Sequence, residues 1–143
     1  MAGGWRELLL VRHARAPWSP DESGGLTPEG RSDAESLAEA LRGKPIEAIY
    51  SSPYPRARET VEPLAQRLAL PIREDADLRE RRLGGGSFDD FRAAVRATWD
   101  DFSFAHPGGE TNVAAQRRVV AVVDRLLAMH PAGASSSRRT ATC

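Results

Sequence analysis

Leu8-Leu9-Leu10-Val11-Arg12-His13-Ala14-Arg15 decides the reading of the fold. Four apolar residues in a row, closed by a polar turn, mark a strand buried on both faces of a parallel sheet. Open sheets of that kind gather ligands at the carboxyl ends of their strands, and Arg12 and His13 stand at such an end. Arginine is a permanent cation whose planar fork of donors matches phosphate. Neutral histidine carries a lone pair that can attack phosphorus. Side by side they suggest phosphoryl transfer through a phosphohistidine. Taken alone, the pair is read equally well as a surface arginine beside a hydrogen-bonded histidine.

Working outward, apolar patterns of two periods alternate. A loop rich in Pro, Gly, Ser and acid runs from Ala16 to Leu26. Thr27-Pro28 opens a helix, with Thr as cap and Pro at the first helical position. Ala34, Leu37, Ala38 and Leu41 follow at helical spacing, and Gly43 closes it. Ile46 to Tyr50 is a second strand. Ala57, Val61, Leu64, Ala65 and Leu68 share one face of a second helix, which Pro63 is expected to bend or divide. Pro71-Ile72-Arg73 is a weak third strand. Beyond the breaker Leu83-Gly84-Gly85-Gly86, the residues Phe88, Phe91, Val95, Trp99 and Phe102 form a helical stripe. That stripe reads as core or lid packing rather than as a cofactor box. Val119, Val122, Val123 and Leu126 mark a last helix ending near His130-Pro131. Alternating strands and helices predict a parallel α/β sheet with helices on both faces.

The composition sets outer bounds. A chain of 143 residues has the size of one domain. Twenty basic residues balance twenty acidic ones, so no charge excess directs the chain to nucleic acid or to a membrane surface. The one cysteine, Cys143, has no internal partner, which fits a reducing, cytoplasmic setting. Met1 to Arg6 has no apolar core of a secretory signal. No apolar run approaches the ~20 residues that span a bilayer.

Further features join the Arg-His pair. Ser51-Ser52-Pro53-Tyr54-Pro55-Arg56-Ala57 places Arg56 just past the second strand, on the rim of His13. Leu78-Arg79-Glu80 brings a carboxylate after the third strand, and Pro107-Gly108-Gly109-Glu110-Thr111 precedes the last helix.

With these motifs the chain resembles the histidine phosphatase superfamily, also called phosphoglycerate mutase-like. Arg12-His13-Ala14 stands where that family carries Arg-His-Gly, and Leu26-Thr27-Pro28-Glu29-Gly30 looks like its helix opening. Ser51 through Thr60 is similar to its second arginine motif, Leu78-Arg79-Glu80 with Gly84 to its acid motif, and Gly108-Gly109-Glu110-Thr111 to its Gly-Gly-Glu-Ser loop. The likeness runs from about Glu7 to His130. It implies a three-layer α/β/α fold with a mostly parallel sheet. It implies His13 as nucleophile, Arg12 and Arg56 as clamps on the phosphate oxygens, and Glu80 as the acid that serves the leaving alkoxide and then water. Neither metal nor cofactor is implied, because the arginines supply the positive charge. Ser19 follows Trp18 where many members carry Asn, and its hydroxyl can still donate to phosphate. Arg15 adds a cation that either favours an anionic substrate or faces solvent.

The tail departs from the family pattern. Members are expected to carry a later parallel strand followed by His-Gly, with the first strand central between it and the second strand. After Pro131 the chain reads Ala-Gly-Ala-Ser-Ser-Ser-Arg-Arg-Thr-Ala-Thr-Cys, with no strand pattern and no histidine. The expectation is a family domain over 1–131 lacking its last strands, with a non-family polar tail over 132–143. Leu8 to Val11 would then be an open edge that invites self-association. A shifted frame accounts for the tail. With serine as TCN and arginine as CGN, codons begun one base earlier turn Ser135 to Ser137 into Phe, Leu, Ile or Val. Arg138 and Arg139 become small residues, Thr140 can become His, and Ala141 can become Gly. Val-Val-Val-Ala-Ala-His-Gly-Asn-Leu is thus encodable, which places a one-base deletion near Gly133; the alternative is a naturally disordered tail.

The expected activity is hydrolysis of a small phosphomonoester. A phosphoglycerate mutase-type transfer and a non-catalytic remnant that only binds phosphate esters are the alternatives.

Overall fold

A computed structural model of the chain describes residues 6–19, 22–131 and 138–142. The elements in order are β1 (Arg6–Leu10), α1 (Pro28–Ala40), β2 (Ile46–Ser51), α2 (Pro55–Leu68), β3 (Ile72–Glu74), a 3₁₀ turn (Ala76–Leu78), α3 (Phe91–Asp100), α4 (Asn112–Met129) and β4 (Arg138–Thr142). They fall into two compact units, Met1–Arg79 with Pro131–Cys143, and Glu80–His130. The mixed α/β class with a parallel sheet is the one expected.

The first unit is built on a parallel four-stranded sheet in the order β1-β4-β2-β3. Arg6 lies opposite Arg138 and Leu10 opposite Thr142 on one side of β4, and Ile49 opposite Ala141 on the other. The Val11 N–H donates to the Thr142 carbonyl at 2.8 Å, carrying the β1–β4 pairing one residue further. Thr27 caps α1 as its position before Pro28 predicts, its hydroxyl oxygen accepting from the Gly30 N–H at 3.0 Å. The cap satisfies one of the donors that a helix start leaves free. α1 packs on α2, and α2 on β2 and β3. Ala38, Ile46, Ile49, Val61, Leu64, Ala65 and Ala141 form the core.

Several expectations are corrected. A strand does follow Pro131: the polar segment Arg138–Thr142 is β4, so the sheet is not without a late strand. The reason is that a ladder is made of main-chain groups, and threonine, β-branched, suits a strand whatever its polarity. β1 is the edge among the described residues, as expected, but its neighbour is β4, which lies between β1 and β2, rather than β2 itself. Gly133, where the shifted frame is expected to begin, lies outside the described residues, as do 134–137. α2 runs on through Pro63. The ring withholds one N–H from Glu59, but the buried face of Val61, Leu64 and Ala65 holds the helix together. The aromatic stripe is not core: Phe91 and Trp99 are each 60% exposed, and α3 buries Ala94 and Thr98 instead.

Leu64 is 1% exposed at the centre of the core. Leu64→Ala should destabilise the fold by about 2–5 kcal/mol through lost burial and the cavity left behind. Urea denaturation measures this, and a loss under about 1 kcal/mol would show the site to be loosely packed.

Candidate active site

The loop after β1 is anchored at both ends. At its start the Val11 N–H continues the ladder, as described. Further on, the Arg15 carbonyl accepts the Thr27 N–H at 3.0 Å, tying the loop to the start of α1. A Cβ built on Gly30 would stand 2.0 Å from the Arg15 carbonyl oxygen. Only glycine lets the helix approach the loop backbone this closely.

Between these anchors His13 is half-buried, while Arg12 and Arg15 are exposed. The His13 Nδ1 lies 2.8 Å from the Ala14 carbonyl oxygen. A carbonyl can only accept, so Nδ1 carries the hydrogen. In the neutral ring Nε2 therefore holds the lone pair. The next residue is fixed as well: the Ala14 N–H donates to the Thr60 hydroxyl oxygen at 2.9 Å. Thr60 in turn donates to the Arg56 carbonyl one helical turn back, at 2.7 Å.

Arg56 sits in the first turn of α2, with only 11% of its side chain exposed. Its guanidinium lies 4.6 Å from the centroid of the Tyr54 ring and reaches a Glu22 carboxylate oxygen at 4.0 Å. Burial, together with a hydrogen bond to Glu22, pushes the Tyr54 phenol up. Ser19, half-buried, lies in the same loop as His13, and its carbonyl accepts the Glu22 N–H at 3.2 Å. The chain thus brings the His13 loop and the start of α2 together through Thr60. β1 and β2 run parallel, so both segments leave the sheet on one rim.

Glu80 opens the second unit as an exposed residue after the 3₁₀ turn. In the Gly-Gly-Glu-Thr segment the acid has a structural partner. Glu110 takes a two-pronged contact from Arg118, Nε to Oε1 at 2.9 Å and Nη2 to Oε2 at 2.6 Å. Gly109 allows the segment to pass the Leu83 carbonyl, where a Cβ would stand 2.3 Å away. Thr111 caps α4 by accepting the Ala114 N–H at 3.0 Å. His106 packs edge-on against Phe88 and Phe104, and its Nε2 meets the Ala94 carbonyl at 2.9 Å. Among the described residues no cluster of three or more His, Cys, Asp or Glu is arranged to hold a metal ion. No described helix is long and apolar enough to cross a membrane.

The motif reading did not find Glu22, Tyr54 or the bridging role of Thr60. Tyr54 gave a faint signal, standing two residues before Arg56 at a helix start. Glu22 gave none, because its approach to Arg56 is set by the path of a long loop.

A parallel sheet with an Arg-His pair past one strand and a half-buried arginine past another defines an α/β protein with these three residues at strand ends on one rim. The sequence profile of the histidine phosphatase superfamily, branch 1, matches residues 8–135. Glucosyl-3-phosphoglycerate phosphatase of Mycobacterium tuberculosis is 31% identical over 139 residues, covering 88% of this chain and 62% of that protein. The chain therefore spans about three fifths of the length of that relative. A mycobacterial glucosyl-3-phosphoglycerate phosphatase solved with inorganic phosphate superposes with a TM-score of 0.82 at 27% identity, over 94% of this chain and 70% of that one. YhfR of Bacillus stearothermophilus superposes with a TM-score of 0.76 at 28% identity, over 96% of this chain and 73% of its own. The chain belongs to the histidine phosphatase superfamily.

Gly30→Ala should cost about 1–3 kcal/mol, since the added methyl meets backbone rather than a movable side-chain end. It should also shift the amide resonances of Ala14 and Arg15. Unchanged stability and unchanged spectra would show that the loop is not held against α1.

Proposed function

We propose that this chain is a phosphomonoesterase of small phosphorylated substrates working through a phosphohistidine. The observation that carries the proposal is the ring of His13, bound at Nδ1 by the Ala14 carbonyl so that Nε2 keeps its lone pair. Nε2 attacks phosphorus and the ester P–O bond breaks, its electron pair leaving with the alkoxide. Arg12 and Arg56 hold the phosphoryl oxygens while charge builds on them. Glu80 gives the alkoxide its proton. As a carboxylate it then takes a proton from water, whose oxygen attacks the phosphoryl group. The P–N bond breaks, Nε2 recovers its pair, and inorganic phosphate leaves. Ser19 adds a donor toward the phosphate. Arg15, exposed beside the loop, suits a substrate with a second negative group. The substrate class is in keeping with the phosphate esters named for the relatives. The cytoplasm, where Cys143 stays reduced, is the proposed location.

A second reading rests on β4. Its five residues, Arg138-Arg139-Thr140-Ala141-Thr142, are an unusual choice for the interior of a parallel sheet. The Thr142 hydroxyl is buried with no hydrogen-bond partner among the described residues. No histidine follows His130. We propose that residues from about Gly133 onward are read one base out of frame. Read so, residues 132–143 as they stand supply no histidine to complete the phosphate site, and a weakened enzyme or a phosphate-ester binder is the alternative proposed. Loss of one such donor typically costs about 10²–10³ in rate. The edge that β1 forms among the described residues is the proposed route to self-association; Leu10 there is 75% exposed.

His13→Ala should abolish release of phosphate from para-nitrophenyl phosphate and remove the acid-labile phosphoenzyme. Undiminished turnover would refute the nucleophile. Replacing 135–143 by Val-Val-Val-Ala-Ala-His-Gly-Asn-Leu should raise turnover by about 10²–10³; no gain would mean that the present tail is the working one. In size-exclusion chromatography the chain should form larger species as concentration rises, and Leu10→Lys should diminish them. A monomer at every concentration would dispose of the edge-pairing proposal.

A further inference from the structure

Thr60 belongs to none of the phosphate-handling roles assigned above, yet its hydroxyl lies between two of them. We propose that Thr60 is a positioning residue that sets the attack geometry of His13 and couples it to Arg56; this rests on the phosphohistidine chemistry proposed above.

Thr60 is 2% exposed, and its hydroxyl has one hydrogen and two lone pairs. The hydrogen goes to the Arg56 carbonyl at 2.7 Å. The oxygen is thereby obliged to act as acceptor toward the loop, and the Ala14 N–H fills that place at 2.9 Å. That N–H belongs to the peptide that follows the His13 Cα, so holding it fixes the plane from which the imidazole springs. The carbonyl of the same Ala14 holds the ring through Nδ1 at 2.8 Å. The imidazole is therefore fixed in position by one side of Ala14 and in tautomer by the other. The far end of the chain of bonds is the peptide of Arg56. The His13 loop and the main chain from which the Arg56 side chain springs thus share one hydroxyl. A small misplacement of an attacking group is costly in rate while leaving binding of the substrate largely intact.

Two substitutions separate this role from packing. Thr60→Val keeps the shape and removes the hydroxyl; Thr60→Ser keeps the hydroxyl and removes the methyl group. Thr60→Val should lower kcat by about 10²-fold, with KM for para-nitrophenyl phosphate changed less than about threefold. Exchange of the Ala14 amide hydrogen should quicken by about tenfold in the same variant. Thr60→Ser should restore both. If Thr60→Ser is as impaired as Thr60→Val, or if Thr60→Val keeps its kcat, the positioning role is wrong. Should the parent chain show no turnover, the phosphatase proposal fails on that result alone. Affinity for orthovanadate then decides the present one: it should fall about tenfold in Thr60→Val and return in Thr60→Ser. Unchanged affinity in Thr60→Val, or none in the parent chain, overturns it.

Discussion

β1 and β2 do not touch through hydrogen bonds; each pairs with β4, which lies between them. Everything at the rim depends on that strand. The His13 loop leaves β1 and the Arg56 turn follows β2, so their relative height is set by two ladders read off one backbone. Leu10 is level with Thr142 on one side, and Tyr50 is level with Thr142 on the other. A slip of β4 by one residue against either neighbour would invert the facing of its side chains. It would also shift the two segments past each other by roughly 3.3 Å. That displacement exceeds the tolerance of the Thr60 bridge, whose bonds are both under 3 Å.

The interior of the sheet is consequently held by main-chain bonds more than by side-chain burial at β4. Ala141 contributes a methyl group to the core with no exposure at all, and Thr140 and Thr142 are buried beside it. The apolar material comes mainly from β2, with Ile46, Ile49 and Ala48, and from α2. On the outer side, β1 is only half-covered along its length, and its last residue stands open to water. Buried hydroxyl groups need partners because their loss of water is otherwise uncompensated. Thr142 is the place in the described sheet where that requirement is not met.

What was legible in the sequence is what local chemistry dictates. Thr27-Pro28 announces α1 because cap and first-turn proline act within one turn. Leu8 to Leu10 announce a strand by an unbroken apolar run and Ile46 to Tyr50 by an apolar run interrupted only at Glu47, and the motif residues at their ends locate the rim. The illegible parts depend on distant segments. β4 has no apolar pattern, and its main-chain pairing with β1 and β2, distant in sequence, is what makes it a strand. The stripe of Phe91 and Trp99 has helical spacing, but spacing tells that a face exists and not which face is covered. Glu110 finds Arg118 two helical turns along, further than the usual pairing of residues three or four apart. The partners of Arg56 come from a turn residue, Tyr54, and from the long loop, Glu22. Of the candidate site, the nucleophile and arginines were readable as types, whereas the hydroxyl that joins them was not.

The pairing of Arg6 with Arg138 also has a bearing on how the molecule is made. A strand that emerges early from the ribosome must wait for one that emerges late, because β4 is its hydrogen-bonded partner. Closing so long a loop is slow, and contacts of this range form late along a folding path. Until then α1, α2, β2 and β3, which are neighbours in sequence, can assemble as a local nucleus. The apolar Leu8-Leu9-Leu10 segment meanwhile has only solvent or another chain to meet. The strand that leads to the histidine thus keeps its apolar side chains uncovered until the last strand is made, the kind of exposure that chaperones shelter during synthesis.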